Sequence, residues 1–203
     1  MPDSAVVLQG RPVFVPDLGT GWQGQPVVAL RIGRLGRDIA PGFAQRYVDA
    51  ATVALWLRLP EADESLSAGL LAGMDSSLAL GAWIPTVELG SEPVKVTTPV
   101  ADLTVDYASE ISAAVTAVSR YMTLKMGDVI LTAFAGQPLD LKPGMRVEAS
   151  MAGREVLSIK YSENEISSPY YLITKFIFSH MPSGLGFSVG HSARVRPMGE
   201  SEG

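Results

Sequence analysis

The feature that most constrains this chain is a series of short apolar segments separated by glycine and proline turns in its second half. Met126-Gly-Asp-Val-Ile-Leu-Thr132 has the pattern of a turn followed by a strand, and Lys142-Pro-Gly-Met-Arg-Val-Glu-Ala-Ser-Met151 repeats it. Ala152-Gly153 then joins the second strand to Glu155–Tyr161, which is typical of a β-hairpin. These spacings predict a mostly β domain, a sandwich or a barrel, with helices on its flank.

Two helices are predicted beside the strands. One runs from Ser109, as N-cap, to Met122, with an apolar stripe at helical spacing formed by Ile111, Val115, Val118 and Met122. The other begins at Pro41, which suits a first helical position, with apolar residues at Phe43, Tyr47, Val48 and Ala51. A strand from Ala54 to Leu59 is expected to follow the second helix.

Composition and charge exclude several function classes. The chain has 203 residues, 47% of them apolar, which is enough for one domain with a sizeable core. The net charge is -5 and no dense Lys/Arg block is present, so no nucleic-acid partner is expected. Cysteine is absent, which excludes thiolate metal sites and a cysteine nucleophile. No signal peptide is visible and the apolar tract Tyr170–Phe178 is too short to span a bilayer, so a soluble cytoplasmic protein without a membrane partner is expected.

The turn-and-strand segments carry a family resemblance. Tyr121-Met-Thr-Leu-Lys-Met-Gly-Asp-Val-Ile-Leu-Thr132, with the Lys142-Pro-Gly turn after it, resembles the C-terminal signature of the fumarylacetoacetate hydrolase family. Val28–Ile39, Ala44–Thr52 and Ala72–Pro85 are similar to further family segments in the same order. The resemblance covers roughly residues 2–161 and is nearest in character to the short bacterial members.

The resemblance implies a fold and an organisation. The fold is α+β and mostly β, the mixed β-roll or sandwich of this family with flanking helices. Residues 1–163 would form the family domain, lacking the N-terminal segment that typical members carry. Residues 164–203 would be a C-terminal extension whose structure the sequence does not predict. Members of the family are usually dimers, so a homodimer, or a heterodimer with a paralogue, is expected.

The same resemblance predicts that the family's metal site is lost. Family enzymes hold Mg²⁺ or Mn²⁺ on two glutamates of one strand and an aspartate of the next, because a hard cation needs anionic oxygen ligands. Those positions fall on Gln25, Val27 and Trp56 in this chain. None of them is a carboxylate, so no metal and no other cofactor is expected.

The remaining functional positions of the family point the same way. The substrate-contacting lysine falls on Ala72 and the threonine on Phe134, while the family's arginine and glutamine fall on Pro60 and Asp63. Only Asp75 keeps the family's residue, and it is interpreted as capping a turn. The two histidines, His180 and His191, lie in the tail, and no catalytic residue is assigned. The old pocket would be lined by Gln25, Trp56, Ala72, Asp75 and Phe134.

Three hypotheses for function follow. The first is a non-catalytic family member that acts as a scaffold, a subunit or a binding protein for a small carboxylic acid. The alternative is a metal-dependent hydrolase, decarboxylase or isomerase of acylpyruvate-like dicarbonyl acids. It would need Mg²⁺ or Mn²⁺ in a rearranged site, for instance one that a slipped strand builds with Glu61 or Asp63. The third is a partial gene product that needs a full-length paralogue as its partner.

Overall fold

The computed structural model describes residues 3–15, 21–59, 73–90, 92–134 and 137–163. The expected extension 164–203, with His180 and His191, lies outside these ranges, as do Pro60, Glu61, Asp63 and Ala72. The described strands are β1 (Val6–Leu8), β2 (Val13–Val15), β3 (Gln23–Ile32), β4 (Val48–Arg58), β5 (Leu78–Leu80), β6 (Ile84–Pro85), β7 (Val94–Thr98), β8 (Ala101–Val105), β9 (Val129–Phe134), β10 (Leu139–Asp140), β11 (Arg146–Met151) and β12 (Arg154–Glu163). The α-helices are α1 (Thr86–Leu89) and α2 (Tyr107–Tyr121), and two 3₁₀ helices span Asp3–Ala5 and Pro41–Tyr47.

The strands form two sheets. The seven-stranded sheet has the order β1-β5-β4-β3-β10, with β6 also paired to β4 and β9 also paired to β3. The five-stranded sheet has the order β2-β12-β11-β7-β8. Most pairs are antiparallel, but β1 pairs with β5 and β2 with β12 in parallel. Two mixed sheets with a flanking helix confirm the predicted α+β, mostly β fold.

The ladder between β3 and β4 divides the interior into two parts. Side chains alternate between the two faces of a strand, so Val28 and Leu30 of β3 point to one face and Val27 and Ala29 to the other. The first face belongs to the main core, which also contains side chains of the five-stranded sheet such as Val147 and Ile159. The second face carries a smaller group of apolar side chains. A strand that is apolar on both faces is therefore buried on both.

The predicted hairpin of β11 and β12 is confirmed. Its turn is Ala152-Gly153, and both residues have positive φ, 54° and 74°. Positive φ at both central residues matches the right-handed twist of the flanking strands, and glycine tolerates it at no steric cost. The pairing shifts register between Ala149 and Ser150.

The helix predicted from Pro41 to Ala51 is too long, and the prediction is wrong at its C-terminal end. A 3₁₀ helix ends at Tyr47, and the chain is extended from Val48 onward. β4 therefore begins at Val48 rather than at the expected Ala54. It pairs with β3 along its length and with β5 and β6 in parts, and residues 50–55 are buried. Sheet pairing and burial on both faces outweigh the helical spacing of the apolar residues.

The long helix is confirmed, with different ends. α2 begins after Asp106, whose carboxylate accepts a hydrogen bond from the Ser109 backbone N–H at 3.2 Å, so Asp106 rather than Ser109 is the N-cap. Ile111 and Val115 are buried as the stripe predicts. Met122 lies beyond the helix and is 56% exposed, so it does not extend the buried stripe.

Among the helices of the described residues, none combines the length and the apolar character that crossing a membrane requires.

Candidate functional site

Two of the predicted pocket residues face each other across the β3–β4 ladder. Gln25 of β3 is the register partner of Trp56 of β4. Directly opposed residues in an antiparallel pair point to the same face, with their β-carbons about 5 Å apart. Gln25 is 4% exposed and its Nε2 donates to the carbonyl oxygen of Pro26 at 3.3 Å. Trp56 is half-buried.

Val27 continues this face along β3. It pairs with Ala54 of β4 on one side and with the backbone of Phe134 of β9 on the other. The structure therefore brings Gln25, Trp56 and the backbone of Phe134 into one region of the sheet.

Asp75 and Ala72 are not joined to this region by the described structure. Asp75 is exposed in the turn before β5, which is closed by a hydrogen bond from Ser77 N–H to the carbonyl oxygen of Met74 at 3.1 Å. Leu78, three residues further on, is the register partner of Trp56. Ala72 lies outside the described residues.

The face that holds Gln25 and Trp56 is lined by what we call the minor cluster. Its buried members are Val27, Ala29, Ala54, Leu78 and Leu80, and its half-buried members are Val6, Trp56, Trp83 and Leu131. A groove of about 510 Å³ adjoins it, sharing Val6, Leu78, Leu80 and Leu131. The rest of its lining comes mainly from the connection between α2 and β9 and from the start of β9. The surroundings of Gln25 are therefore mainly apolar.

Two arginines stack on the tryptophans of the minor cluster. The Arg58 Cζ lies 5.9 Å from the centroid of the Trp56 ring, and the Arg31 Cζ lies 5.4 Å from that of Trp83. Cations over an indole face are attracted by its negative quadrupole. Reasoning from the sequence missed both arginines. A signal was available for Arg58, because residues two apart on a strand share a face and Trp56 precedes it at that spacing.

A separate buried polar group lies at the start of α2. Tyr107 is 5% exposed and lines a cavity of about 210 Å³ with Gln45, Thr86, Val87, Gly90, Ala108 and Ile111. Among the described residues its hydroxyl has no hydrogen-bond partner. Burial raises the pKa of the Tyr107 phenol, and the negative charge of Asp49 raises it further.

The sequence model of one family, described as "Fumarylacetoacetate (FAA) hydrolase C-terminal", matches residues 1–160. The chain belongs to the fumarylacetoacetate hydrolase family. Among curated proteins, none matches this chain in sequence.

Solved structures from the fumarylacetoacetate hydrolase family have the same fold. A 5-carboxymethyl-2-hydroxymuconate delta-isomerase from Mycobacterium smegmatis is 23% identical with a TM-score of 0.71, over 80% of this chain and 67% of that one. A 2-hydroxyhepta-2,4-diene-1,7-dioate isomerase from Mycobacterium marinum is 21% identical with a TM-score of 0.71, over 81% and 68%. A fumarylpyruvate hydrolase from Pseudomonas aeruginosa, in complex with Mn²⁺ and pyruvate, is 18% identical with a TM-score of 0.62, over 80% and 77%. At these identities the likeness shows the fold.

The residues that the sequence resemblance places at the family's metal positions do not fit a divalent cation. Mg²⁺ and Mn²⁺ prefer carboxylate, carbonyl and water oxygens. Gln25 contributes one neutral amide oxygen, while the side chains of Val27 and Trp56 contribute no oxygen and pack in the minor cluster. Within the described ranges, no three Asp, Glu or His side chains converge to form a metal site elsewhere.

Proposed function

We propose that this protein is a non-catalytic member of the fumarylacetoacetate hydrolase family that binds a small carboxylic acid on the face of the minor cluster. One observation carries the proposal. Gln25 and Trp56 are register partners on the same face, and neither they nor Val27 is a carboxylate. The register of β3 and β4 therefore supports the equivalence of these positions with the family's ligand positions.

The minor cluster supports binding rather than catalysis. Hydrolysis of a dicarbonyl acid in this family depends on a cation that polarises the substrate, and its three ligand positions hold an amide, an isopropyl group and an indole here. The adjoining groove of about 510 Å³ lies within the usual size range of small-molecule sites. A groove of this size with a mainly apolar lining can hold a small ligand without a metal ion.

Metal titration tests the proposal. Purified protein is titrated with Mn²⁺ and with Mg²⁺ by calorimetry at neutral pH. We expect no stoichiometric binding at millimolar metal. The matched variant carries Gln25→Glu with Trp56→Asp, which restores two carboxylates and leaves Val27 in the minor cluster. We expect the variant, with its fold checked by circular dichroism, to gain Mn²⁺ binding. Its two carboxylates stand on β-carbons about 5 Å apart, so both can bring anionic oxygens to one cation.

Tight binding of one Mn²⁺ by the unaltered protein would overturn the proposal. The metal-dependent hydrolase, decarboxylase or isomerase of acylpyruvate-like acids would then be favoured. Glu61→Gln and Asp63→Asn would show whether the segment after β4 provides the ligands, and an acylpyruvate would be the substrate to assay.

Assembly and location complete the proposal. The family resemblance supports a homodimer or a heterodimer with a paralogue, and the absence of cysteine is in keeping with a cytoplasmic location. Size-exclusion chromatography with light scattering gives the stoichiometry of the purified protein. A monomer at micromolar concentration that becomes a dimer only with a co-expressed family member would select the heterodimer.

A further inference from the structure

We propose that Arg58 binds the carboxylate of the ligand, with the Trp56 indole as the platform that orients the guanidinium. The inference rests on the proposed function, because it names the group that would recognise a carboxylic acid at that same site. Arg58 is exposed at the end of β4, and its Cζ lies 5.9 Å from the Trp56 ring centroid. Trp56 is in turn the register partner of Gln25.

Arg31, the other arginine that stacks on a tryptophan of the minor cluster, shows what distinguishes Arg58. Arg31 stacks on Trp83 at 5.4 Å, and its Nε also donates to Asp49 Oδ1 at 2.8 Å. Arg31 therefore already has a carboxylate. No described carboxylate forms an ion pair with Arg58. The two arginines have the same aromatic contact and differ in whether a carboxylate of the described residues pairs with them.

A carboxylate across the sheet, Asp140 of β10, balances the charge of Arg58 only in part. Gln23 of β3 is the register partner of Arg58, and Gln23 Nε2 donates to Asp140 Oδ1 of β10 at 2.9 Å. Neighbouring strands are about 4.8 Å apart, so two strand spacings place Asp140 roughly 10 Å from Arg58 at the backbone. At that distance in water, the Asp140 carboxylate slightly weakens the attraction of Arg58 for a ligand anion. It is too far away to form an ion pair with Arg58 itself.

The chemistry of the site defines a class of ligand. A guanidinium is a planar fork of N–H donors that matches a carboxylate with two parallel hydrogen bonds. Its neighbours on the same face are the Trp56 indole and the amide side chains of Gln23 and Gln25, and the apolar side chain of Leu78 lies beside Trp56. The ligand is therefore a carboxylate with a planar or apolar body, and its negative charge meets a side-chain cation where the family uses a metal ion.

Indole NMR signals test the inference with a defined probe. The chain has three tryptophans, so ¹⁵N-labelled protein gives three indole N–H signals that Trp→Phe variants assign. Benzoate is the probe, and benzamide is its neutral match. We expect benzoate to shift the Trp56 signal saturably, and benzamide to bind about tenfold more weakly because it lacks the charge that makes the hydrogen bonds strong.

Variants of the two arginines provide the decisive comparison. Arg58→Gln should weaken benzoate binding about tenfold, and Arg58→Lys should fall between, since the ammonium keeps the charge and loses the bidentate geometry. Arg31→Gln removes an arginine with the same kind of stacking contact and should leave benzoate binding unchanged.

Two results would overturn the role of Arg58. One is benzoate binding that Arg58→Gln leaves within about twofold. The other is the absence of any saturable Trp56 shift at the highest soluble benzoate concentration. The proposed function fails separately, by stoichiometric Mn²⁺ binding to the unaltered protein. If the protein binds neither Mn²⁺ nor benzoate, the assignment of Arg58 is disproved, and the proposal that the metal site is lost is still supported.

Discussion

The Oγ1 of Thr52 lies 2.6 Å from the point where a β-carbon on Gly81 would stand. Thr52 is fully buried, and its Oγ1 donates to the carbonyl oxygen of Ala82 at 2.8 Å. The carbonyl oxygens of Val156 and Val53 are 2.6 Å and 2.7 Å from the same point. Glycine is thus the residue that lets the chain after β5 pass against β4 and β12.

Gly81→Ala should destabilise the domain by about 3 kcal/mol, because two of the three clashing atoms belong to backbone that cannot move aside cheaply. Urea unfolding followed by circular dichroism gives the change in free energy. Gly42→Ala is the control, since a β-carbon there meets nothing within 4 Å. Equal midpoints for the two variants would show that the segment after β5 is not as closely packed as described.

Asp106→Ala should cost about 1 kcal/mol of unfolding free energy, because the first turn of α2 loses the carboxylate that accepts the Ser109 N–H. Ser109→Ala should change stability by a few tenths of a kcal/mol at most, since Ser109 is a residue of the helix itself and its side chain is exposed to solvent. Urea midpoints of both variants separate the two candidates for the N-cap. A larger loss for Ser109→Ala would restore the N-cap that the sequence predicts.

Tyr107→Phe should leave stability unchanged or raise it by about 1 kcal/mol near neutral pH, because it removes a buried hydroxyl without a partner among the described residues. The phenol has a raised pKa in the folded state, mainly through burial. The unfolded chain therefore releases this proton first, above about pH 10, and the folded state becomes less stable as the pH rises further.

Urea midpoints at roughly pH 8 and pH 11 measure this dependence. The loss of stability between them should be smaller in Tyr107→Phe than in the unaltered protein. Tyr121→Phe is the matched control, because Tyr121 is 84% exposed. This variant should lose as much stability between the two pH values as the unaltered protein. An equal loss in all three proteins would contradict the environment described for Tyr107.

Asp140→Asn should tighten benzoate binding about twofold at low salt, because it removes a negative charge roughly 10 Å from Arg58. The gain should vanish at about 0.5 M salt, where the screening length is well below that separation. Titration of the Trp56 indole signal at both salt concentrations gives the two affinities. A gain that is insensitive to salt would mean that Asp140 acts through Gln23 and not through its charge.

The sequence predicted best what depends on neighbouring residues. The Ala152-Gly153 turn needs positive φ at both positions, and apolar segments beside it make the hairpin, so the local pattern was sufficient. The start of β4 was mistaken because Val48 and Ala51 are spaced for a helix. Their extended conformation comes from pairing with β3, a strand about 20 residues earlier in the sequence, so the residues around 48–51 do not reveal it.

The site shows the same division. The resemblance placed Gln25 and Trp56 in one pocket, and the structure makes them register partners of two paired strands. The resemblance did not include Arg58, whose stacking on Trp56 follows from the alternation of side chains along β4. The N-cap was predicted at Ser109, and the structure places it three residues earlier, at Asp106, because the Asp106 carboxylate accepts the Ser109 N–H.

The parallel pairing of β2 with β12 has a consequence for how the protein is made. Val13 pairs with Tyr161, so the first strand of the five-stranded sheet joins the last described strand of the chain. During synthesis β2 leaves the ribosome long before its neighbour exists. β2 must therefore wait with an unpaired edge until β12 has emerged, and that is the interval in which a nascent chain is most exposed to wrong pairing and most in need of a chaperone.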